Sequence, residues 1–241
     1  MEYISEESYG ILYIVATPIG NLGDVTFRAI ETLKSVDLIL AEDTRVTRKL
    51  CNHFDISKPL QSYRSQTETD YVHKKIQERL MNGENIALVS DAGTPGISDP
   101  GSRLVQYIRE HNPQIVIIPI GGISAVTTLL SASGVDTHNF VFLGFAPAKK
   151  GRKTFFEKLG NYNMTTVLYE SVHRIEKFLH SLDDLYKDSY IVVGRELTKM
   201  HEQIVTGTPA DLLEYFENHP DKVRGEFVIL FTNRPTSKNK I

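Results

Sequence analysis

The chain has 241 residues, 41% hydrophobic and 24% charged, the balance of a soluble globular protein of one or two domains rather than a disordered chain. Its 27 Lys and Arg against 30 Asp and Glu leave a net charge of −3, which excludes a histone-like coat and requires any nucleic-acid partner to meet a local basic patch. No apolar run approaches the about 20 residues of a membrane span, the N-terminus has no basic or apolar signal core, and the single Cys51 forbids an internal disulfide; these features predict a cytoplasmic protein with no membrane association.

In chain order, Ile11 to Ala16 reads as a buried strand. Thr26 to Lys34 places Phe27, Ile30 and Leu33 on one helical face, and Asp37 to Ala41 is a second apolar strand. Asp43 is positioned to cap a helix running to His53. Tyr71 to Met81 has Val72, Ile76 and Leu80 at helical steps. Ile86 to Val89 and Ile115 to Ile118 are short strands, with a helix over Ser102 to Glu110 between them. This alternation predicts crossover units and a mostly parallel sheet.

Beyond Ile120 the rhythm changes. A small-residue helix is expected over Ile123 to Ser133, with strands at Phe140 to Phe145, Thr165 to Tyr169, Tyr190 to Gly194, Gln203 to Thr206 and Phe227 to Phe231. Helices are expected at Lys153 to Leu159, His173 to Leu182 and Pro209 to Phe216. Strands this close in sequence, without long crossovers, predict a mixed second sheet. The fold class is therefore α/β, with an N-terminal domain over 1–120 and a C-terminal domain over 121–241.

Several segments at predicted strand ends carry the polar and glycine residues that ligand loops need. Thr17-Pro18-Ile19-Gly20-Asn21-Leu22-Gly23-Asp24 follows the first strand and opens a helix, though it is neither a dinucleotide fingerprint nor a P-loop. A tight turn with Asp24 as cap is the plain alternative. Ser90 to Gly101 holds three glycines, two prolines and two aspartates at the end of a buried strand, where ligands of open α/β sheets bind. Asp91 there can accept hydrogen bonds from a ribose or amino group, while Asp99 and Pro100 suit the cap and first position of the next helix. Gly121-Gly122-Ile123-Ser124-Ala125 offers free backbone N–H groups, or a hinge.

Arg45, Arg48, Lys49 and Asn52 share one helical face, which is either an RNA-facing stripe or a solvated surface. Lys149-Lys150-Gly151-Arg152-Lys153 is a second basic patch able to hold phosphates. Tyr169 to Arg174 and Gly194 to Lys199 set acids, bases and cations at two further strand ends, with Ser171 as a helix cap and an Arg195–Glu196 pair as the plain account. The scattered histidines show no zinc spacing, so no metal is expected.

Leu12 to Asp24, Ala41 to Arg45 and Ser90 to Pro95 together resemble the tetrapyrrole methylase superfamily, and with Leu168 to Arg174 and Gly194 to Lys199 they are similar, in order, to its ribosomal RNA small subunit methyltransferase I subfamily. The resemblance implies two α/β domains with S-adenosylmethionine in the cleft between them, a homodimer, and 2′-O-methylation of a cytidine in the decoding region of 16S rRNA, with the small ribosomal subunit as substrate. It implies that Pro18, Ile19, Gly20, Asp91, Thr94, Ser124, Ala125, Tyr169, Leu197 and Gly225 line the cofactor site. The proton acceptor is then sought among Glu170, His173 and Glu196, with Arg45, Arg174, Arg195 and Lys199 as phosphate or oxyanion partners. RNA contacts are assigned to Arg45, Arg48, Lys49, Lys149, Lys150, Arg152 and Lys153. Subfamily members often carry a further C-terminal helical segment, whereas this chain stops at Ile241; if that segment docks the ribosome, docking here differs. A tetrapyrrole acceptor, or a cofactor-binding module without catalysis, are the alternatives.

Overall fold

The computed structural model describes residues 9–233, which fall into two compact units divided between Ser124 and Ala125. The first unit contains β1 (Leu12–Val15), α1 (Phe27–Ser35), β2 (Leu38–Ala41), α2 (Thr44–His53), β3 (Leu60–Ser62), α3 (Asp70–Met81), β4 (Ile86–Val89), α4 (Ser102–His111) and β5 (Ile117–Ile120). Its five strands are all parallel, in the order β3-β2-β4-β1-β5. Every residue of β2 and β4 is buried, as their unbroken apolar runs require of strands covered on both faces. Ala29 and Leu33 of α1 and Leu50 and Cys51 of α2 pack on one face. Ile76 and Leu80 of α3 and Leu104 and Ile108 of α4 pack on the other.

Four local expectations are corrected in this unit. Phe27 is 87% exposed, because it starts α1 ahead of the buried stripe of Ala29, Thr32 and Leu33. Asp24 does not cap α1: the Thr26 hydroxyl accepts from the Ala29 N–H at 3.1 Å. Asp99 and Pro100 precede α4, whose N-cap is Gly101. The last strand lies at Ile117–Ile120, where Leu12 pairs with Ile117, while Ile115 joins the core beside α3 and α4.

The second unit contains α5 (Ala125–Ala132), β6 (Phe140–Phe145), α6 (Arg152–Leu159), β7 (Thr165–Ser171), α7 (Ile175–Leu185), β8 (Tyr190–Arg195), β9 (Gln203–Gly207), α8 (Pro209–Asn218) and β10 (Glu226–Thr232). The sheet runs β6-β7-β10-β8-β9. Only β6 and β7 are parallel; the other pairs are antiparallel, so the sheet is mixed, as expected. Phe156 and Leu159 of α6, Phe178 and Leu182 of α7, and Leu212 and Phe216 of α8 pack against Leu168, Val193, Ile229 and Phe231. Among the described residues no helix is long and apolar enough to cross a membrane, and no cluster of His, Cys, Asp and Glu is arranged to hold a metal.

Candidate functional site

In the first unit, β1 and β4 are neighbours, yet α1 and α4, which follow them, lie on opposite faces. Their loops therefore part at the carboxyl ends of the strands, the crevice where open α/β sheets bind ligands. The loops are tied at their roots. Thr17 and Gly93 exchange backbone hydrogen bonds at 2.9 and 3.1 Å, and the Thr17 hydroxyl donates to the Ser90 carbonyl at 3.1 Å. Beyond that tie, Pro18 and Ile19 are half-buried, Gly20 is exposed, and Thr94 is half-buried.

Carboxylates from β2 and β4 gather at these ends. The Asp43 N–H donates to Asp91 Oδ1 at 2.9 Å, and the Asp91 N–H donates to Glu42 Oε2 at 3.4 Å. Arg64 Nε holds the Glu42 carbonyl at 3.0 Å. Burial raises the Glu42 pKa. Burial, and next the Glu42 charge, push Asp99 up to about 6. Asp43 goes the opposite way, held well below the carboxylate range by the Arg45 guanidinium. Acids crowded against one another in this way suit a cationic ligand that relieves their repulsion.

The far end of the second loop is pinned from the segment that leads into α3. Glu68 Oε1 accepts from the Gly101 N–H at 2.9 Å. Gly101 has φ +133, and a Cβ there would lie 2.7 Å from Leu88 Cδ2. Glu42, Arg64 and Glu68 are absent from the site residues expected from sequence; Glu68 has no local signal, because its partner is 33 residues away.

In the second unit, β7 and β8 flank β10, and their carboxyl ends meet the start of β10. Phe227 pairs with Glu170 on one side and Arg195 on the other. Two of the expected motifs thus reach one end of the sheet, with Gly225 between them beside the Glu196 side chain. Ser124 and Ala125 are half-buried, at the point where the chain passes from one unit to the next.

The side chains at that end are largely engaged. Glu170 is buried and bound by Arg174 Nη2 at 2.7 Å, with Arg152 Nη1 3.6 Å from its other oxygen. Oε1 is thus held by a guanidinium, while Oε2 is buried with no hydrogen-bond partner, so the carboxylate faces the protein interior rather than solvent. Arg152 leaves the basic patch for the same reason. It is 9% exposed, donates to the Pro147 carbonyl and stacks on Phe156. Lys149, Lys150 and Lys153 remain exposed. Ser171 is the N-cap residue of the short 3-10 helix Val172–Arg174 without a side-chain capping bond; its hydroxyl accepts from Arg174 Nε at 3.0 Å.

The expected Arg195–Glu196 pair does not form. Arg195 is buried and donates to the Arg224 and His201 carbonyls at 3.2 and 3.3 Å. It therefore ties the β8–β9 loop and the segment before β10 to the end of β8. Lys199 Nζ sits between Glu196 Oε1 at 2.8 Å and Glu226 Oε2 at 3.0 Å. Burial acts to raise Glu196, but the Lys199 ammonium and the Glu226 N–H overcome it, and its pKa is lowered. Leu197 is buried, Tyr169 half-buried and His173 exposed. On α2, Arg45, Arg48 and Lys49 are all exposed, with Arg45 paired to Asp43.

Residues 11–213 match the family model described as Tetrapyrrole (Corrin/Porphyrin) Methylases. The chain is 45% identical over 235 residues to "Ribosomal RNA small subunit methyltransferase I" of Haemophilus influenzae, covering 95% of this chain and 81% of that one. The protein of the same name from Leptospira biflexa is 43% identical over 233 residues, covering 95% and 93%. That from Synechocystis is 48% identical over 227 residues, covering 92% and 78%. Among solved structures, the methyltransferase CobJ superposes with TM-score 0.69 at 19% identity, covering 96% of this chain and 97% of that one. A diphthine synthase superposes with TM-score 0.68 at 13% identity, covering 92% and 89%.

Proposed function

The chain belongs to the tetrapyrrole methylase family, and from that premise we propose that it methylates the 2′-oxygen of a cytidine in the decoding region of 16S rRNA, with S-adenosylmethionine as donor and the small ribosomal subunit as substrate. The observation that carries this reading is the identity of 43–48% to relatives named ribosomal RNA small subunit methyltransferase I, over almost the whole chain.

The donor set at the strand ends of the first unit fits the cofactor. Glu42, Asp91 and Asp99 supply the negative charge that a sulfonium and an ammonium group need. Pro18, Ile19, Gly20 and Thr94 lie in the loops that leave the neighbouring strand ends β1 and β4. When bound, S-adenosylmethionine supplies an electrophilic methyl group. The protein's residues hold the ribose hydroxyl in line with it, an effect worth up to about 7–11 kcal/mol in favourable cases, and accept its proton, worth about 10²–10⁴-fold. With Glu170 buried, the proton acceptor in this reading is either the exposed His173 or Glu196, whose Oε1 is already held by Lys199. Arg174 and Lys199 sit beside them to favour the alkoxide. Lys149, Lys150 and Lys153, with Arg45, Arg48 and Lys49, hold the RNA backbone. The reaction requires RNA, because only RNA carries the 2′-hydroxyl. The working species is a homodimer in the cytoplasm.

The test is transfer of labelled methyl from S-adenosylmethionine to unmodified small subunits, with large subunits and a porphyrinogen in parallel. Label in small-subunit RNA alone supports the reading. Label in the tetrapyrrole alone, or in neither, overturns it.

A further inference from the structure

Strand β6 pairs with β7 in regular register at first, Phe140 opposite Thr165 and Phe142 opposite Val167. Phe145 then stands opposite Tyr169. One extra residue has entered β6, a bulge, and Gly144 lies in it with φ +65, a conformation that glycine adopts without strain. Simple alternation along the strand sends Leu143 toward the helix-covered core and would send Phe145 after it. The bulge reverses that parity. Phe145 lies on the face of Phe142 and Tyr169, its ring centroid 5.4 Å from that of Tyr169, which is 4.9 Å from Phe142. Its side chain is 54% exposed. The fold thus diverts a large apolar residue from the core to the surface at the carboxyl end of a strand.

The chain runs directly from Phe145 into the loop that bears Lys149 and Lys150 and then into α6, whose first turn carries Lys153; all three are exposed. That loop is anchored underneath by Arg152 against Glu170, and Arg174 Nη1 holds the Ala146 carbonyl at 3.3 Å. An aromatic face on a fixed base, followed by exposed cations, of which Lys153 also lies 3.8 Å from Glu157, is an arrangement that binds unpaired nucleic acid: the ring stacks a base and the ammonium groups take the neighbouring phosphates.

We propose that Phe145 is a stacking platform for an unpaired nucleobase of the RNA substrate, with Lys149, Lys150 and Lys153 on the adjoining phosphates. The proposal rests on the rRNA reading above and adds to it the residue that receives a splayed base. It commits to single-stranded RNA because an unpaired strand offers both a base to stack on the ring and phosphates for the ammonium groups.

Phe145→Leu keeps an apolar side chain and removes the π face; Phe145→Trp keeps the π face. Four quantities are measured for each: affinity for a fluorescent single-stranded oligoribonucleotide, KM for small subunits, the S-adenosylmethionine Kd, and the oligomeric mass by light scattering. Stacking predicts that Phe145→Leu weakens oligonucleotide binding about tenfold and raises KM for subunits. Phe145→Trp stays within about twofold, and cofactor Kd and mass do not change. Unchanged RNA affinity in Phe145→Leu overturns the proposal. An equal loss of cofactor affinity overturns it in favour of a cofactor contact, and a fall in mass overturns it in favour of an interface between copies. Wild-type protein that transfers no methyl to small subunits sinks the rRNA reading itself, and the stacking role with it.

Discussion

Glu68 and Gly101, 33 residues apart, are joined by a 2.9 Å hydrogen bond from the Gly101 N–H to the Glu68 carboxylate. The same oxygen accepts from the buried Tyr63 hydroxyl at 3.1 Å, and that hydroxyl lies 2.9 Å from His73 Nε2. Tyr63 has one proton to give. With it directed to Glu68, His73 presents Nε2–H to the phenol oxygen. Burial lowers the His73 pKa and raises that of Tyr63, so both rings stay neutral near pH 7. This chain of contacts fixes the far end of the loop that carries Asp91 and Thr94.

Glu68→Ala is therefore expected to weaken S-adenosylmethionine binding about tenfold, the value of one charge-assisted hydrogen bond. Glu68→Gln keeps an acceptor oxygen and should stay within about twofold. Calorimetry on both variants decides: equal behaviour of Ala and Gln would contradict the positioning role.

Asp91 acts at the other end of that loop, accepting from the Asp43 N–H. Asp91→Ala should weaken cofactor binding about tenfold or more and leave affinity for small-subunit RNA unchanged. Parallel cofactor and RNA titrations test the split, and normal cofactor affinity would refute it.

Asp99 gives a pH signature. Its pKa of about 6 stands above the about 3.9 of an unfolded aspartate, so the native state binds the proton more tightly. Above pH 6 the ionised carboxylate works against the fold, and that cost is relieved as pH falls from 6 toward 4. Asp99→Asn should raise stability at pH 7.5 by about 1 kcal/mol, after discounting for its partial exposure. The gain should disappear by about pH 4. Urea titrations at the two pH values measure it, and a gain independent of pH would contradict the assignment.

Glu170 balances two guanidinium groups in a buried site. Glu170→Gln should destabilise the fold by about 3 kcal/mol, because it leaves buried cations without a counter-charge. The folded fraction should still transfer methyl groups. A stable protein with abolished transfer would restore Glu170 as the proton acceptor.

Charge reversal at Lys149, Lys150 and Lys153 should weaken RNA binding and flatten its salt dependence, with cofactor Kd unchanged. Arg152→Glu should behave differently, losing stability because it sets a second carboxylate against Glu170. Salt-dependent RNA titrations and melting curves separate the two.

Much of this architecture was legible because burial writes itself into runs of residues. Ile86–Val89 is an unbroken apolar tetrad and forms β4 with the expected bounds. Phe140–Phe145 likewise matches β6. What stayed hidden depends on contacts between distant segments. Leu60–Ser62 has a single apolar residue and becomes a strand only by pairing with β2. Arg152 reads like its lysine neighbours until Glu170 draws it inside. The bulge at Gly144 leaves no trace in hydrophobic pattern, since it changes where Phe145 points and not what it is. Glu68 carried no motif, because its role lies in bonds to Tyr63 and to the distant Gly101.

The most direct test of the central claim is mass spectrometry of nucleosides digested from small subunits after reaction with isotopically labelled S-adenosylmethionine. The account predicts label in 2′-O-methylcytidine. Label confined to a base-methylated nucleoside, or to none, would contradict it.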